Sequence, residues 1–265
     1  MNTHMIWTIM RKDMSDLRRN RNAMIPMFML PIIMFVAVPI AIILMCYALG
    51  DKSINLQGII GSLPSGIIPK GYTQAQSLAY AILIYYLAPM YMLLPALIAN
   101  VSASSSFVGE KEHRTLEGLM SSPVTNIDLV VAKSLASMVP TLISSFSTTI
   151  FYALIIDGLG YDLFGGMVFP NAAWLIITFI TAPLTALLAV CIVTAISQRT
   201  NTVMDAQGMG MVVLIPFIGF IAMMVAGYMT LNVGTILMAS GLLAIADVIG
   251  LIGIAKLTDS ENMLL

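Results

Sequence analysis

The feature that most constrains this chain is a series of long uncharged apolar runs, the first extending from residue 23 to residue 50. A bilayer core takes about 20 apolar residues per spanning helix, and the runs are long enough for six. Within hydrocarbon, a segment must satisfy its own backbone hydrogen bonds, which favours helices. Charged residues make up 9% of the chain and hydrophobic residues 59%, whereas soluble domains carry roughly 25% charge. No soluble fold hides that much apolar surface. The expectation is an all-α, polytopic membrane protein with six transmembrane helices.

The spans are expected at about 24–49, 78–101, 134–156, 173–196, 208–229 and 235–255. Pro26, Pro31 and Pro39 should kink the first span or mark its start, and Pro89 and Pro95 should break the second, because proline removes a backbone donor and clashes with the preceding turn. The stretches 51–77, 157–171, 198–207, 230–234 and 256–265 are expected as loops, turns and a polar tail. Cys46 and Cys191 both fall in apolar runs, where cysteine behaves as a small hydrophobe. The 22 methionines are scattered over most helices and the N-terminal stretch, as suits packing residues rather than a soft-metal site.

Residues 1–23 form a separate polar and basic unit, and residues 24–265 the six-helix membrane domain. Ile6, Met10, Met14 and Leu17 recur at helical spacing, which predicts an amphipathic helix lying at the membrane interface. The run that follows exceeds the 7 to 15 residues of a signal-peptide core, so an uncleaved anchor is expected. With the N-terminus inside, ten of the twelve Lys and Arg residues are cytosolic and only Lys52 and Lys70 lie outside. The positive-inside rule then places both termini in the cytosol.

The charged stretch 107–133 falls on the same side. Glu110, Lys111, Glu112, Arg114, Thr115, Leu116 and Glu117 make a short helix, with Glu112, Leu116 and Leu119 on one edge. Pro123 ends it, and Thr125 with Asp128 has the spacing of a capping box for a new helix. By local chemistry alone this turn is either a solvated connector or a working surface.

Three stretches carry a family resemblance. Arg11-Lys12-Asp13, Arg18-Arg19-Asn20-Arg21-Asn22 and Pro31 form one. Glu110-Lys111-Glu112, Thr115-Leu116-Glu117, Leu119, Ser122-Pro123-Val124 and Lys133 form the second, and Arg199, Asp205-Ala206-Gln207 and Pro216 the third. Together they resemble ABC-2-type permeases, and within that family the compact sodium-efflux or drug-export members. The tail departs from the pattern: 257–261 keeps the acids but lacks the aromatic residue and arginine found in relatives. The resemblance implies a plasma-membrane half-transporter that pairs with a second permease subunit in the bilayer and engages separate ATPase subunits. It makes 107–133 the coupling element, with Glu110, Lys111, Glu112, Arg114, Thr115, Leu116, Glu117 and Pro123 as its residues. The chain has no G-x-x-x-x-G-K-[ST] phosphate loop, so ATP and Mg are expected on the partner ATPase and no cofactor on this chain. Nucleic acid is not an expected partner.

Two polar features fall inside spans. Asp247 is near mid-bilayer, where a carboxylate costs a few kcal/mol on insertion scales; it is either a structural hydrogen-bond partner or an ion or proton site. Ser137, Thr141, Ser144 and Thr148 step by three and four along the third span, a face that suits close helix packing or a polar path. His4 and His113 both lie outside the spans, and His113 is expected on the coupling surface. Enzyme readings find little support. Ser240-Gly241 has no membrane histidine to activate it, H-E-x-x-H is absent, and the spans offer one acid where a lipid phosphotransferase would gather several for metal binding. A noncatalytic anchor or assembly scaffold is the remaining alternative.

Overall fold

The computed structural model describes residues 3–49, 68–69, 71–112 and 126–259. Among them every regular element is helical. Helix α1 is Thr3–Arg19. Helix α2 joins Arg21–Ile32 through a π turn at Ile33–Ala37 to Val38–Leu49. Then come α3 (Gln74–Glu112), α4 (Asn126–Leu159), α5 (Ala172–Ile196), α6 (Val203–Val225) and α7 (Val233–Asp259). Helices α2 to α7 supply six segments long and apolar enough to cross a membrane.

Several boundaries differ from the sequence expectation. Helix α3 begins before residue 78, because Thr73 and Gln76 form a reciprocal capping box. It also continues past residue 101: Ser102 and Ser104 are buried, so this polar stretch packs against neighbouring helices rather than forming a loop. Helix α6 opens at Val203, within the stretch expected as a turn, because Thr202 accepts a hydrogen bond from the Asp205 amide. Residues 157–159 belong to α4, and a single turn at Tyr161–Phe164 interrupts the loop behind it.

Prolines within the spans do not break the helices, and ahead of four of them the turn changes register. π turns at Ile33–Ala37, Ala81–Tyr86 and Ile177–Thr181 precede Pro39, Pro89 and Pro183, and a 3₁₀ turn at Met211–Leu214 precedes Pro216. A wider or tighter turn relieves the clash of the ring with the carbonyl four residues back. In an i to i−5 register the Ile84 carbonyl would look to residue 89, which has no N–H. Trp174 Nε1 supplies the missing bond at 2.9 Å, and Tyr152 Oη bonds the adjacent Leu83 carbonyl. Both aromatic rings are fully buried and stack with centroids 5.0 Å apart, so this repair of the backbone also forms the core of one half of the bundle.

The most extensive helix contact is α3 against α5, with α4 on α3 and α7 on α5. Helix α3 is the central rod: its buried residues run from Ala75 to Glu110. Large apolar side chains such as Ile150, Phe179, Leu242 and Ile249 face outward, as lipid-facing residues must. Helix α1 is amphipathic as expected, but protein covers its apolar side. Ile6 and Ile9 pack on Leu129 and Ala132 of α4.

Candidate functional site

The structure gathers the charged residues of three separate sequence regions at one end of the bundle, where α3 finishes and α4 begins. Glu110 is its centre. Lys133 of α4 donates to one Glu110 carboxyl oxygen at 2.7 Å, and Lys12 of α1 pairs with the other. Lys133 also donates to the Ser106 carbonyl and lies 5.8 Å from the centroid of the Phe107 ring. One turn away, Ser106 Oγ donates to Asp13 Oδ2 at 2.5 Å.

The Glu110–Lys133 pair is out of water. The Glu110 and Lys133 side chains are 9% and 4% exposed, whereas Lys12 is 45% exposed. Burial pushes the Asp13 carboxyl above its ordinary range, against the opposing pull of Lys133, the Ser106 hydroxyl and Lys12. For Lys12, desolvation favours the neutral amine, but the bond to Glu110 and the nearby carboxylates outweigh it and raise its pKa.

The next two residues reach other elements. Lys111 Nζ donates to the carbonyl of Ser197, the C-cap of α5, at 3.0 Å. A cation there satisfies an orphan carbonyl and complements the helix dipole. Glu112 Oε2 accepts the Val203 amide, the first of α6, at 2.7 Å, the matching arrangement at a helix N-terminus. Three consecutive side chains thus grip α1 and α4, the end of α5 and the start of α6.

Beside this hub lies a cavity of about 940 Å³, lined by Lys12, Asp16, Arg19, Ser105, Glu112 and Gln207 among others. Just below it, fully buried Asn100 of α3 donates Nδ2 to the Gln207 carbonyl at 3.0 Å. Gly210 makes that approach possible, since a Cβ there would meet Asn100 Oδ1 at 2.0 Å.

Of the residues expected to form the coupling element, Glu110, Lys111 and Glu112 tie helices together at the end of α3. Residues 110–112, expected to open a separate short helix, form the last turn of α3, and each of the three side chains has a partner on another helix. Arg114, Thr115, Leu116, Glu117, Leu119, Pro123 and Thr125, with His113, lie outside the described residues. Asp128, the other half of the expected capping box, is buried in the first turn of α4.

Asp247 and the hydroxyl stripe are not joined. Ser137, Thr141 and Thr148 donate to the carbonyls four residues earlier, and Ser144 is buried beside them. Three of the four hydroxyls are thus satisfied within α4 itself, as suits helix packing. Asp247 is buried elsewhere, near Cys191 of α5.

Sequence reasoning did not find Lys12, Asp13, Ser106, Asn100 and Gly210 as site residues. Lys12 and Asp13 fall in the first family-like stretch, but the helical period of α1 gives no sign that they reach α3. A family model described as ABC-2 family transporter protein matches residues 7–240, a stretch that contains the whole hub. No curated protein matches the chain.

Proposed function

From the premise that this chain belongs to the ABC-2 family of transporter proteins, we propose that it is the permease subunit of an ATP-driven exporter. It pairs with a second permease subunit in the plasma membrane, with both termini and the 107–133 region in the cytosol. Separate ATPase subunits bind ATP and Mg, as befits a chain without a phosphate-binding loop.

The observation that carries this reading is the grip of Glu110, Lys111 and Glu112 on four other helices. Residues 113–125 follow Glu112 in the chain and include Arg114, Thr115, Leu116, Glu117 and Pro123. A partner that moves this connector moves the end of α3. Through charge-assisted bonds, which are stronger than neutral ones, it also moves α1, α4, the α5 terminus and the α6 start. Force applied at one short segment is thereby distributed over the bundle. The cavity beside the hub is the space that such a motion would reshape.

Co-purification tests the reading. An affinity-tagged chain extracted from native membranes should bring down an ATPase whose hydrolysis is faster with the permease present than without it. Recovery of the chain with no ATPase would contradict the proposal.

A further inference from the structure

Helix α7 buries a stripe through Ile236, Ser240, Leu243, Asp247 and Ile254, spaced by four, three, four and seven residues. Its other sides, at Leu242, Ile245, Val248 and Ile249, are more than half exposed and apolar. Asp247 therefore sits at the middle of a membrane helix, on the side turned into the protein. It is 3% exposed, and both its carboxyl oxygens are sealed from the surface with no hydrogen-bond partner among the described residues. Ser240, two turns earlier on the same stripe, differs: its hydroxyl bonds Thr181 at 2.8 Å.

Among the described residues, the helices packed on α7 bring no cation to balance a charge. Helix α7 packs on α5 including its lead-in turns, and more thinly on α4. The ionisable group that α5 offers is Cys191, a thiol. Helix α4 carries Asp128 and Lys133 near one end and Tyr152 and Asp157 near the other; Lys133 is engaged by Glu110, and Tyr152 by the Leu83 carbonyl. On α7 itself Lys256 is nine residues away, two and a half turns. One turn past Asp247 the two helices nearly touch, since a Cβ at Gly250 would lie 3.1 Å from the Cys191 Cβ. A carboxylate with neither counter-charge nor donors is strongly disfavoured in such a place, and the group takes up a proton instead.

We propose that Asp247 is a proton-binding site inside the membrane, holding its proton while α5 and α7 are in contact and releasing it when they part. The step is a simple ionisation. Opening the contact admits water, the carboxyl O–H bond breaks, the proton passes to water, and the solvated carboxylate remains; closure reverses each event. Intramembrane acids of this kind serve proton and ion pathways, and here the switch would be the α5–α7 seam. This inference rests on the membrane fold and stands whether or not the chain works with an ATPase.

The test is infrared spectroscopy of the full-length protein in lipid nanodiscs, comparing wild type with Asp247→Asn. At neutral pH the difference spectrum should show the carbonyl stretch of a protonated carboxyl in the wild type, fading as pH rises. Asp247→Glu should shift that band rather than abolish it, which separates loss of the group from misfolding. Carboxylate bands in place of the protonated band would overturn the assignment. Gly250→Cys tests the switch: its Cβ would start 3.1 Å from the Cys191 Cβ, and a shift of a few tenths of an ångström brings the pair into the roughly 3.5–4.5 Å range of a disulfide that oxidation can close. The oxidised, locked form should keep the protonated band to roughly tenfold lower proton concentration than its reduced form, or about one pH unit. Equal titration of the two forms would overturn the link to the seam.

Discussion

Lys133 of α4 donates a 2.7 Å hydrogen bond to Glu110 of α3, and both side chains are more than nine-tenths buried. The two residues are 23 apart in sequence and bracket the 113–125 connector. They clamp together the end of α3 and the start of α4, which residues 113–125 join in the sequence.

The pair is unevenly protected. Removing Glu110 leaves Lys133 buried with the Ser106 carbonyl, the Phe107 ring and the more distant Asp13. Removing Lys133 leaves Glu110 with Lys12. Breaking a buried pair by removing one partner costs about 3–5 kcal/mol. Glu110→Ala should fall in that range and Lys133→Met below it. The double variant Glu110→Met, Lys133→Met should be more stable than Glu110→Ala. Thermal unfolding in lipid–detergent micelles gives the order, and equal losses for the two single variants would refute the asymmetry.

Asp13 should make stability depend on pH. Burial raises its pKa above the ordinary 3.8, so between those two values the folded state binds more protons than the unfolded state. Stability must then fall as pH rises through this window and be fullest below it. Asp13→Asn removes the titration while keeping an acceptor for Ser106, and its melting temperature should be flatter than wild type across the mildly acidic range. A wild-type profile that instead rises relative to Asp13→Asn would reverse the sign. Lys12 acts at the alkaline end: its raised pKa gives stability that is full below about 10.5 and lost above it.

Gly210 should tolerate no side chain while Asn100 is present. The Cβ of Gly210→Ala would fall 2.0 Å from Asn100 Oδ1, inside a helix contact where neither backbone is free to move. Overpacking of this sort costs about 1–3 kcal/mol. Asn100→Ala also loses the bond to the Gln207 carbonyl, yet it should restore part of the stability lost in Gly210→Ala. A double variant less stable than Gly210→Ala alone would show that the clash is not the cause.

Much of the architecture was legible in the sequence. The six spans follow from charge-free length alone, and α1 from its 3.6-residue period. What composition misplaces are helix ends held by side chains. Thr73, Thr202 and the buried serines 102 and 104 carry α3 and α6 beyond their apolar runs. At Pro89 the sequence shows the missing donor but not the π turn that absorbs it, nor Trp174 reaching 90 residues back to replace the bond.

The site was legible only as a motif. Glu110, Lys111 and Glu112 stood out as charges at the edge of an apolar run, and a surface reading was the natural one. Their partners Lys12, Ser197 and Val203 are 98, 86 and 91 residues away. Pairings at that range depend on how the helices pack, which periodicity does not encode. The same limit applies to α1, whose apolar stripe fits a lipid surface and α4 equally well by pattern.

On the coupling role proposed above, the Glu110–Glu112 turn carries motion between residues 113–125 and the bundle, and ATP hydrolysis by the assembled complex reads that motion out. Lys111→Met with Glu112→Ala cuts the ties to Ser197 and Val203 while leaving Glu110 with Lys12 and Lys133. In nanodiscs this variant should retain its ATPase partner but lose permease-stimulated hydrolysis by roughly tenfold, about 1.4 kcal/mol in the barrier. Full wild-type stimulation in a complex of normal composition would contradict the account.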